Sequence, residues 1–302
     1  MNSAPLRAAP STLAAPPLLG RRGRTLAALA LAGLAAALFL QLAPSQLIPP
    51  PSRWALAADF LAGALHPSFA SDALQSPTGG LGAPLSILLS GLGRTLVFAA
   101  AATGLSLLCA FPLSLLASRS LGRPARWAPV RDRRISGLQR LGSAARSGLR
   151  LCLAAMRSVH ELLWALLFLA ALGLSDAAAV IAIAIPFTGT LAKVFSEFLD
   201  EAPVASGESL RAIGASPLLL FLVGRLPRVM PDMAAYAFYR FECAIRSAAI
   251  LGFFGFPTLG YHLKNAFDSL AFGEVWAWLY ALLAMVLLLE GWSSALRRRF
   301  VA

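Results

Sequence analysis

The sequence predicts an all-α membrane protein that crosses the bilayer about six times, from its composition, its charge-free apolar stretches and its clustered arginines. Of the 302 residues, 58% are hydrophobic and 13% are charged, and the mean hydropathy is +0.71. These values lie outside the usual range of soluble domains. Residues 25–43 and 95–117 contain no charged side chain, and a helix needs about 20 apolar residues to cross the hydrocarbon core. Both stretches are therefore predicted to span the membrane.

The cations that give the chain its net charge of +12 are clustered. Most of them fall in four blocks, at residues 7–24, 119–150, 193–228 and 297–299. In between, residues 44–90 contain only Arg53, and residues 256–273 contain only Lys264. Because cytoplasmic loops of membrane proteins carry the excess of Lys and Arg, we expect these blocks, and hence both termini, to be cytoplasmic. This placement indicates a lipid bilayer as the partner and argues against nucleic acid.

The N-terminal part is predicted to contain one span and a long external segment. Residues 1–24, rich in Ala, Pro and Arg, are typical of a disordered basic cytoplasmic tail. The apolar stretch at 25–43 is longer than the roughly 7 to 15 residues of a secretion signal, so we interpret it as a retained helix. Residues 44–90 form the external, periplasmic segment, with a short helix at 54–65 on the membrane surface.

Residues 91–296 are predicted to form the main transmembrane domain, followed by a basic cytoplasmic end at 297–302. The remaining predicted spans are 95–117, 151–174, 177–195, 230–255 and 273–292. A tight turn at Ser175 and Asp176 joins the third and fourth spans.

The sequence lacks the motifs of an ATPase or a hydrolase. A phosphate-binding loop needs GxxxxGK[ST], but the only lysines are Lys193 and Lys264, and neither follows that pattern. No GxSxG elbow is present. The three cysteines and three histidines lack metal-site spacing. We therefore expect no enzymatic activity, no metal and no cofactor bound by this chain.

The segment between the fourth and fifth predicted spans, residues 208–227, has the local chemistry of helix, turn and helix. Gly214 suits the left-handed position that ends a helix. Ser216 is a good N-cap, and Pro217 is the preferred first helical residue. Pro227 is expected to end the second helix near the bilayer.

The spacing of this segment resembles the EAA loop of ABC importer permeases. Glu208, Gly214 and the pair Leu226 and Pro227 fall at or within one position of that pattern. The resemblance implies that a cytoplasmic loop at 197–229 docks onto a separate ATPase subunit, which hydrolyses the ATP. The candidate coupling residues are Glu208, Arg211, Gly214, Ser216, Pro217, Leu226 and Pro227.

Further segments make the chain most similar to phosphonate-importer permeases. These segments are 111–119, 157–165, 193–197, 239–242 and 246–248. His160 stands where such permeases usually carry proline. The resemblance implies the type I ABC importer permease architecture and transport of a small anion such as phosphonate across the bacterial inner membrane. It also implies a periplasmic substrate-binding protein and a second permease copy, in a homodimer. The alternatives are a permease for another solute, such as phosphite or an amino acid, and a membrane scaffold that transports nothing.

The fifth predicted span contains three charged residues, Arg240, Glu242 and Arg246. Each costs about 2.5 to 3.5 kcal/mol at the centre of a bilayer, so none is expected to face lipid. The four-residue spacing predicts a Glu242–Arg246 ion pair and a second pair between Arg157 and Glu161. Arg240 then needs another partner, either Glu161 or a carboxylate of a second subunit. Two interpretations stay open: these residues line the path of an anion, or they form ion pairs that hold helices together.

Overall fold

The computed structural model describes residues 20–41, 50–68, 82–119, 137–202, 214–216 and 219–301. Within those ranges every regular element is helical. Most of the predicted N-terminal tail, and residues 203–213 of the predicted coupling loop, lie outside them. The chain divides into two compact units, Met1–Ala58 and Asp59–Ala302.

The first unit contains α1, Arg21–Phe39, and the beginning of α2, Pro51–Leu65. Helix α1 begins and ends about one turn earlier than the predicted span at 25–43. Helix α2 covers the short helix expected at 54–65. Both predicted helices are therefore present, with shifted ends.

The second unit is a bundle arranged around one central helix. Its helices are α3, Gly82–Ala117; α4, Gly137–Ser158; α5, Glu161–Leu172; α6, Asp176–Glu201; α7, Leu226–Ile250; α8, Leu259–Asp268; and α9, Phe272–Val301. A π-helical turn, Leu220–Arg225, leads into α7, and a 3-10 turn, Leu251–Phe254, follows it. Helix α6 packs against α3, α4, α5 and α7 and is the most buried of these helices.

Several helices are long and apolar enough to cross a membrane. Four qualify alone: Arg22–Phe39, Leu85–Ala117, Asp176–Glu201 and Phe272–Ala295. Two bent pairs also qualify, α4 with α5 at an angle of 87° and α7 with α8 at 47°. With each bent pair taken as one span, the described residues contain six spans, which confirms the predicted architecture.

Helix α3 differs from its prediction at the N-terminal end. It begins at Gly82, so residues 82–90 are helical instead of belonging to a loop. The physical reason is tertiary packing, because Ile87 and Leu88 lie against the buried cluster formed by α8 and α9. That contact lies far away in sequence and gives no local signal.

The core between α3, α6 and α7 is built from small side chains. Ala99, Ala102, Ala182, Ala244 and Ala248 are fully buried there. Alanine lets helix backbones approach closely, and packing of this kind holds helices together in a membrane, where burial of apolar surface gives little driving force.

Candidate translocation path and coupling segment

The predicted span at 151–174 is not one helix, which corrects the sequence interpretation. Helix α4 ends at Ser158 and α5 begins at Glu161, with the 87° bend between them. His160 is the N-cap of α5, and its Nδ1 accepts a hydrogen bond from the Leu162 backbone N–H at 3.3 Å. The φ of His160 is −66°, the value that a proline ring would fix. The structure thus explains why histidine and proline are both suitable at this position.

Long-range contacts hold the break in place. The indole N–H of Trp164 on α5 donates to the Met156 carbonyl in the last turn of α4, at 3.4 Å. On α6, a Cβ added to Gly189 would lie 2.8 Å from the Leu153 carbonyl oxygen. Only glycine therefore lets the end of α4 rest against the α6 backbone. These contacts fix where the broken span turns.

Glu161 joins α5 to α7. Its carboxylate accepts a hydrogen bond of 2.9 Å from the Ser247 hydroxyl. The Nδ1 of His160 lies 3.7 Å from the other carboxylate oxygen of Glu161. Two of the segments that carry the sequence resemblance, 157–165 and 246–248, are therefore in direct contact.

Arg240 lies over an aromatic ring of the central helix. Its guanidinium carbon is 3.9 Å from the centre of the Phe187 ring, and Phe187 is almost fully buried. A cation–π contact of this kind contributes about 0.5 to 2 kcal/mol. The Nε of Arg240 is buried and has no hydrogen-bond partner among the described residues. The ring thus fixes the side chain, and one buried donor of the guanidinium has no protein partner in the described part of the chain.

A second arginine belongs to the same neighbourhood. Arg240 lies one turn after the half-buried Tyr236 on the same face of α7, and the exposed Arg157, in the last turn of α4, is near enough to add positive potential at the Tyr236 hydroxyl. We name Arg157, Tyr236 and Arg240 the cationic cluster. Sequence reasoning singled out both arginines but missed Tyr236 and Phe187. The available signal was the four-residue spacing of Tyr236 and Arg240, which places both on one helix face.

The ion pairs expected from sequence spacing are not formed. In the described part of the chain, the ion pairs of Lys or Arg with a carboxylate within 4.0 Å are Arg150–Asp200, Lys193–Glu197 and Lys264–Asp268. Neither Glu242–Arg246 nor Arg157–Glu161 is among them, and Arg240 does not pair with Glu161. Arg246 is exposed and donates to the Cys243 sulfur at 3.4 Å. A tertiary hydrogen bond from Ser247 takes the place of the predicted pair at Glu161, and Arg240 lies on Phe187 and not on Glu161.

The described residues of the coupling segment have the predicted local conformations. Gly214 has a φ of +83°, in the left-handed region. The Ser216 hydroxyl accepts a hydrogen bond from the Leu219 N–H at 3.3 Å, which makes it a cap. Glu208, Arg211 and Pro217 lie outside the described residues.

Pro227 does not end a helix, contrary to the sequence prediction. The π-helical turn precedes it, and the Leu226 N–H donates to the Phe221 carbonyl, five residues back. Pro227 then lies in the first turn of α7, where no N–H is required. Residues 219–225 therefore continue into α7 without a break in the helical backbone.

The family model for a binding-protein-dependent transport system inner membrane component matches residues 134–301. The match covers the broken span, the central helix, the coupling segment and the cationic cluster. The chain belongs to this family, the permeases of ABC importers. The resemblance that the sequence motifs carry is thereby confirmed.

Curated relatives of this permease have related names. The phosphite transport system permease protein PtxC of Stutzerimonas stutzeri is 35% identical over 151 residues, 50% of this chain and 55% of its own length. The putative phosphite permease HtxC of the same species is 30% identical over 213 residues, 70% of this chain and 69% of its own. The putative cryptic phosphonate permease PhnE2 of Escherichia coli K12 is 35% identical over 122 residues, 40% of this chain and all of its own. The permease thus matches about half the length of PtxC.

Solved structures share the fold. An amino acid ABC transporter crystallised with histidines aligns with a TM-score of 0.56 at 17% identity, covering 71% of this chain and 94% of that one. The MetNI methionine transporter in an inward-facing conformation aligns with a TM-score of 0.55 at 18% identity, covering 72% and 97%. At these identities the likeness establishes the fold alone.

Proposed function

We propose that this permease carries a tetrahedral phosphorus oxyanion, phosphite or a phosphonate, across the bacterial inner membrane in ATP-driven import. The cationic cluster is the observation that carries the proposal. The relatives' names support the substrate class, since phosphite and phosphonates share a tetrahedral centre with negatively charged oxygens.

The chemistry of the cluster suits such a substrate. An anion that leaves water for a less polar interior needs compensating charge and hydrogen-bond donors. The planar guanidinium fork matches the geometry of phosphate-type oxygens, and these charge-assisted bonds are stronger than neutral ones. Phe187 holds the Arg240 side chain in place, so little side-chain entropy is lost on binding. Tyr236 adds a hydroxyl on the same face of α7 as Arg240, and Arg157 at the end of α4 adds a second positive charge near that hydroxyl.

ATP hydrolysis is assigned to a separate ATPase subunit. Residues 208–227 dock onto that subunit on the cytoplasmic face, where both termini also lie. A periplasmic binding protein delivers the anion, and a second copy of this chain completes the path. The continuity of residues 219–225 with α7, which carries Tyr236 and Arg240, supports this arrangement because movement of these residues would reach the cluster through one helix.

The cluster is tested by replacing its half-buried arginine. Loss of a charged hydrogen-bonding partner costs about 1.5 to 3 kcal/mol, so we expect Arg240→Gln to lower the initial rate of phosphite uptake at least about tenfold. Arg240→Lys keeps the charge but loses the fork, and its rate should be intermediate. Uptake is normalised to the amount of complex assembled with the ATPase.

The matched control is Arg94→Gln, at an exposed arginine on α3, which should leave uptake unchanged. If the Arg240→Gln complex assembles and takes up phosphite at the wild-type rate, the cluster does not line the path. The arginines are then structural.

The coupling segment is tested by co-purification with the ATPase. Gly214→Val puts a β-branched residue into the left-handed region, where L-residues are disfavoured by about 1 to 2 kcal/mol, and should weaken association. Gly214→Asn is the control, because asparagine tolerates this conformation. Glu208→Arg reverses a charge in the motif and should also weaken association. Wild-type association and uptake in both Gly214→Val and Glu208→Arg would contradict docking through this segment.

A further inference from the structure

A partly buried junction of three helices lies at the C-terminal end of α6. One carboxylate oxygen of Asp200 accepts hydrogen bonds of 2.7 Å from the Ser118 hydroxyl and 2.7 Å from the Arg119 backbone N–H. The other oxygen accepts from the Arg150 guanidinium at 2.9 Å. The Nε of the same arginine donates to the Ala117 carbonyl, also at 2.9 Å. We name Ser118, Arg150 and Asp200 the carboxylate lock.

The lock joins segments that belong to three different helices. Asp200 belongs to α6, Arg150 to α4, and Ser118 and Arg119 directly follow α3. Ser118 is 1% exposed, and the side chains of Arg150 and Asp200 are 33% and 22% exposed. Partial burial strengthens charge-assisted bonds relative to those in water. The three helix ends are thus held as one unit.

From the sequence alone, the arginines of residues 119–150 are interpreted together as a basic block at the cytoplasmic surface of the membrane. In the structure, the first and the last arginine of that block, Arg119 and Arg150, make specific contacts. Arg119 contributes its backbone N–H and Arg150 its side chain, and both converge on one carboxylate. Asp200 carried no motif signal of its own.

The position of the lock points to its role. Helix α6 ends at Glu201, so Asp200 lies in its last turn and within residues 197–229, the predicted coupling loop. We propose that the carboxylate lock transmits movement of the coupling loop to α3 and α4 together, so that Asp200 is a positioning residue for transport. The proposal rests on the proposed ATPase coupling. Without the lock, a force on the loop would reach α3 and α4 only through their apolar packing against α6.

Two measurements on the complete complex with its ATPase test the lock. The first is phosphite taken up per ATP hydrolysed. Coupling between linked sites commonly changes an equilibrium by about 5- to 150-fold, and we expect Asp200→Ala to lower this ratio about tenfold. Asp200→Asn keeps an oxygen for Ser118 and Arg119 but loses the charge, and should give an intermediate ratio. The control, Asp268→Ala, breaks the exposed Lys264–Asp268 pair of 2.7 Å within one helix and should not change it.

The second measurement is amide hydrogen exchange in residues 110–119 and 146–152, with and without ATP and vanadate. We expect nucleotide to change exchange in both segments of the wild type and in neither segment of Asp200→Ala. This readout needs no substrate, so a wrong substrate assignment would appear in wild-type uptake and leave the test of the lock intact.

A wild-type uptake ratio together with a wild-type exchange response in Asp200→Ala would overturn the proposal. So would a proportional fall of uptake and hydrolysis with an unchanged exchange response, since that is the result of a purely structural contact. If Asp200→Ala does not assemble, Asp200→Asn decides by the same two criteria.

Discussion

The two ends of the bundle are held together by different physical means. At the arginine-rich end, the carboxylate lock joins helix ends through charged side-chain hydrogen bonds. Near Thr95, roughly 35 Å away along α3, the chain turns from α7 into α8 by direct backbone packing. There a Cβ added to Gly260 would overlap the Ala249 carbonyl oxygen, and one on Gly252 would overlap the Tyr261 backbone nitrogen. We name this region, residues 249–261 with Thr95, the glycine-packed end.

The comparison shows which end can change shape. Side-chain hydrogen bonds tolerate small changes of distance and angle, so the helix ends that the lock joins can move together as one unit. A backbone contact made possible only by the missing Cβ of glycine has no alternative partner, because packed interiors do not deform continuously. The coupling segment adjoins the lock in the chain. We therefore expect movement at the arginine-rich end and a fixed arrangement at the glycine-packed end.

Gly260→Ala should have the largest effect. The added methyl group has to displace the backbone of Ala249, and overpacking of this kind costs about 1 to 3 kcal/mol, occasionally more. We expect the protein to accumulate poorly in membranes and to unfold at a lower temperature in detergent. The matched control is Gly104→Ala on α3, where nothing lies within 4 Å of the added atom. Equal accumulation and thermal midpoints for the two variants would remove the basis of the comparison.

Thr95→Val should have the second largest effect. The fully buried Thr95 hydroxyl accepts a hydrogen bond of 3.0 Å from the Leu259 N–H at the start of α8 and donates to the Gly91 carbonyl at 2.7 Å. Valine has nearly the same shape but leaves the buried N–H without this acceptor, at a cost of about 1 to 3 kcal/mol. The thermal midpoint of unfolding measures this loss of stability. A midpoint equal to that of the wild type would mean that this hydrogen bond does not hold the glycine-packed end.

Ser118→Ala should have the smallest effect on stability. Asp200 keeps its hydrogen bonds from Arg119 and Arg150 when the hydroxyl is removed. The expected cost is therefore about 0.5 to 1.5 kcal/mol, smaller than that of Thr95→Val. When the losses of unfolding free energy in the two variants are measured under the same conditions, their order shows which end depends more on its hydrogen bond. A larger loss for Ser118→Ala would reverse the assignment of the rigid end.

The sequence predicted features that depend on local chemistry or on composition. The number of spans follows from the lengths of the apolar stretches. The left-handed conformation at Gly214 follows from the backbone freedom of glycine, and the cap at Ser216 follows from its hydroxyl. The family followed from motif spacing.

Features that depend on distant residues were missed. The break at His160 is held by Gly189 and Ser247, in other helices. Nothing in the apolar run at 151–174 reveals those contacts. The predicted Glu242–Arg246 pair failed for the same reason, since packing between helices decides where each charged side chain points. The π-helical turn that precedes Pro227 has no local sequence signal, so the sequence could not predict it.

The most direct test of the proposed function is ATP-dependent uptake of phosphite by the complete complex in proteoliposomes. The complex comprises this permease, its ATPase and its binding protein. We predict saturable accumulation that requires ATP, is inhibited by methylphosphonate and is unaffected by methionine. A complex that hydrolyses ATP and accumulates an amino acid but neither phosphite nor a phosphonate would contradict the account.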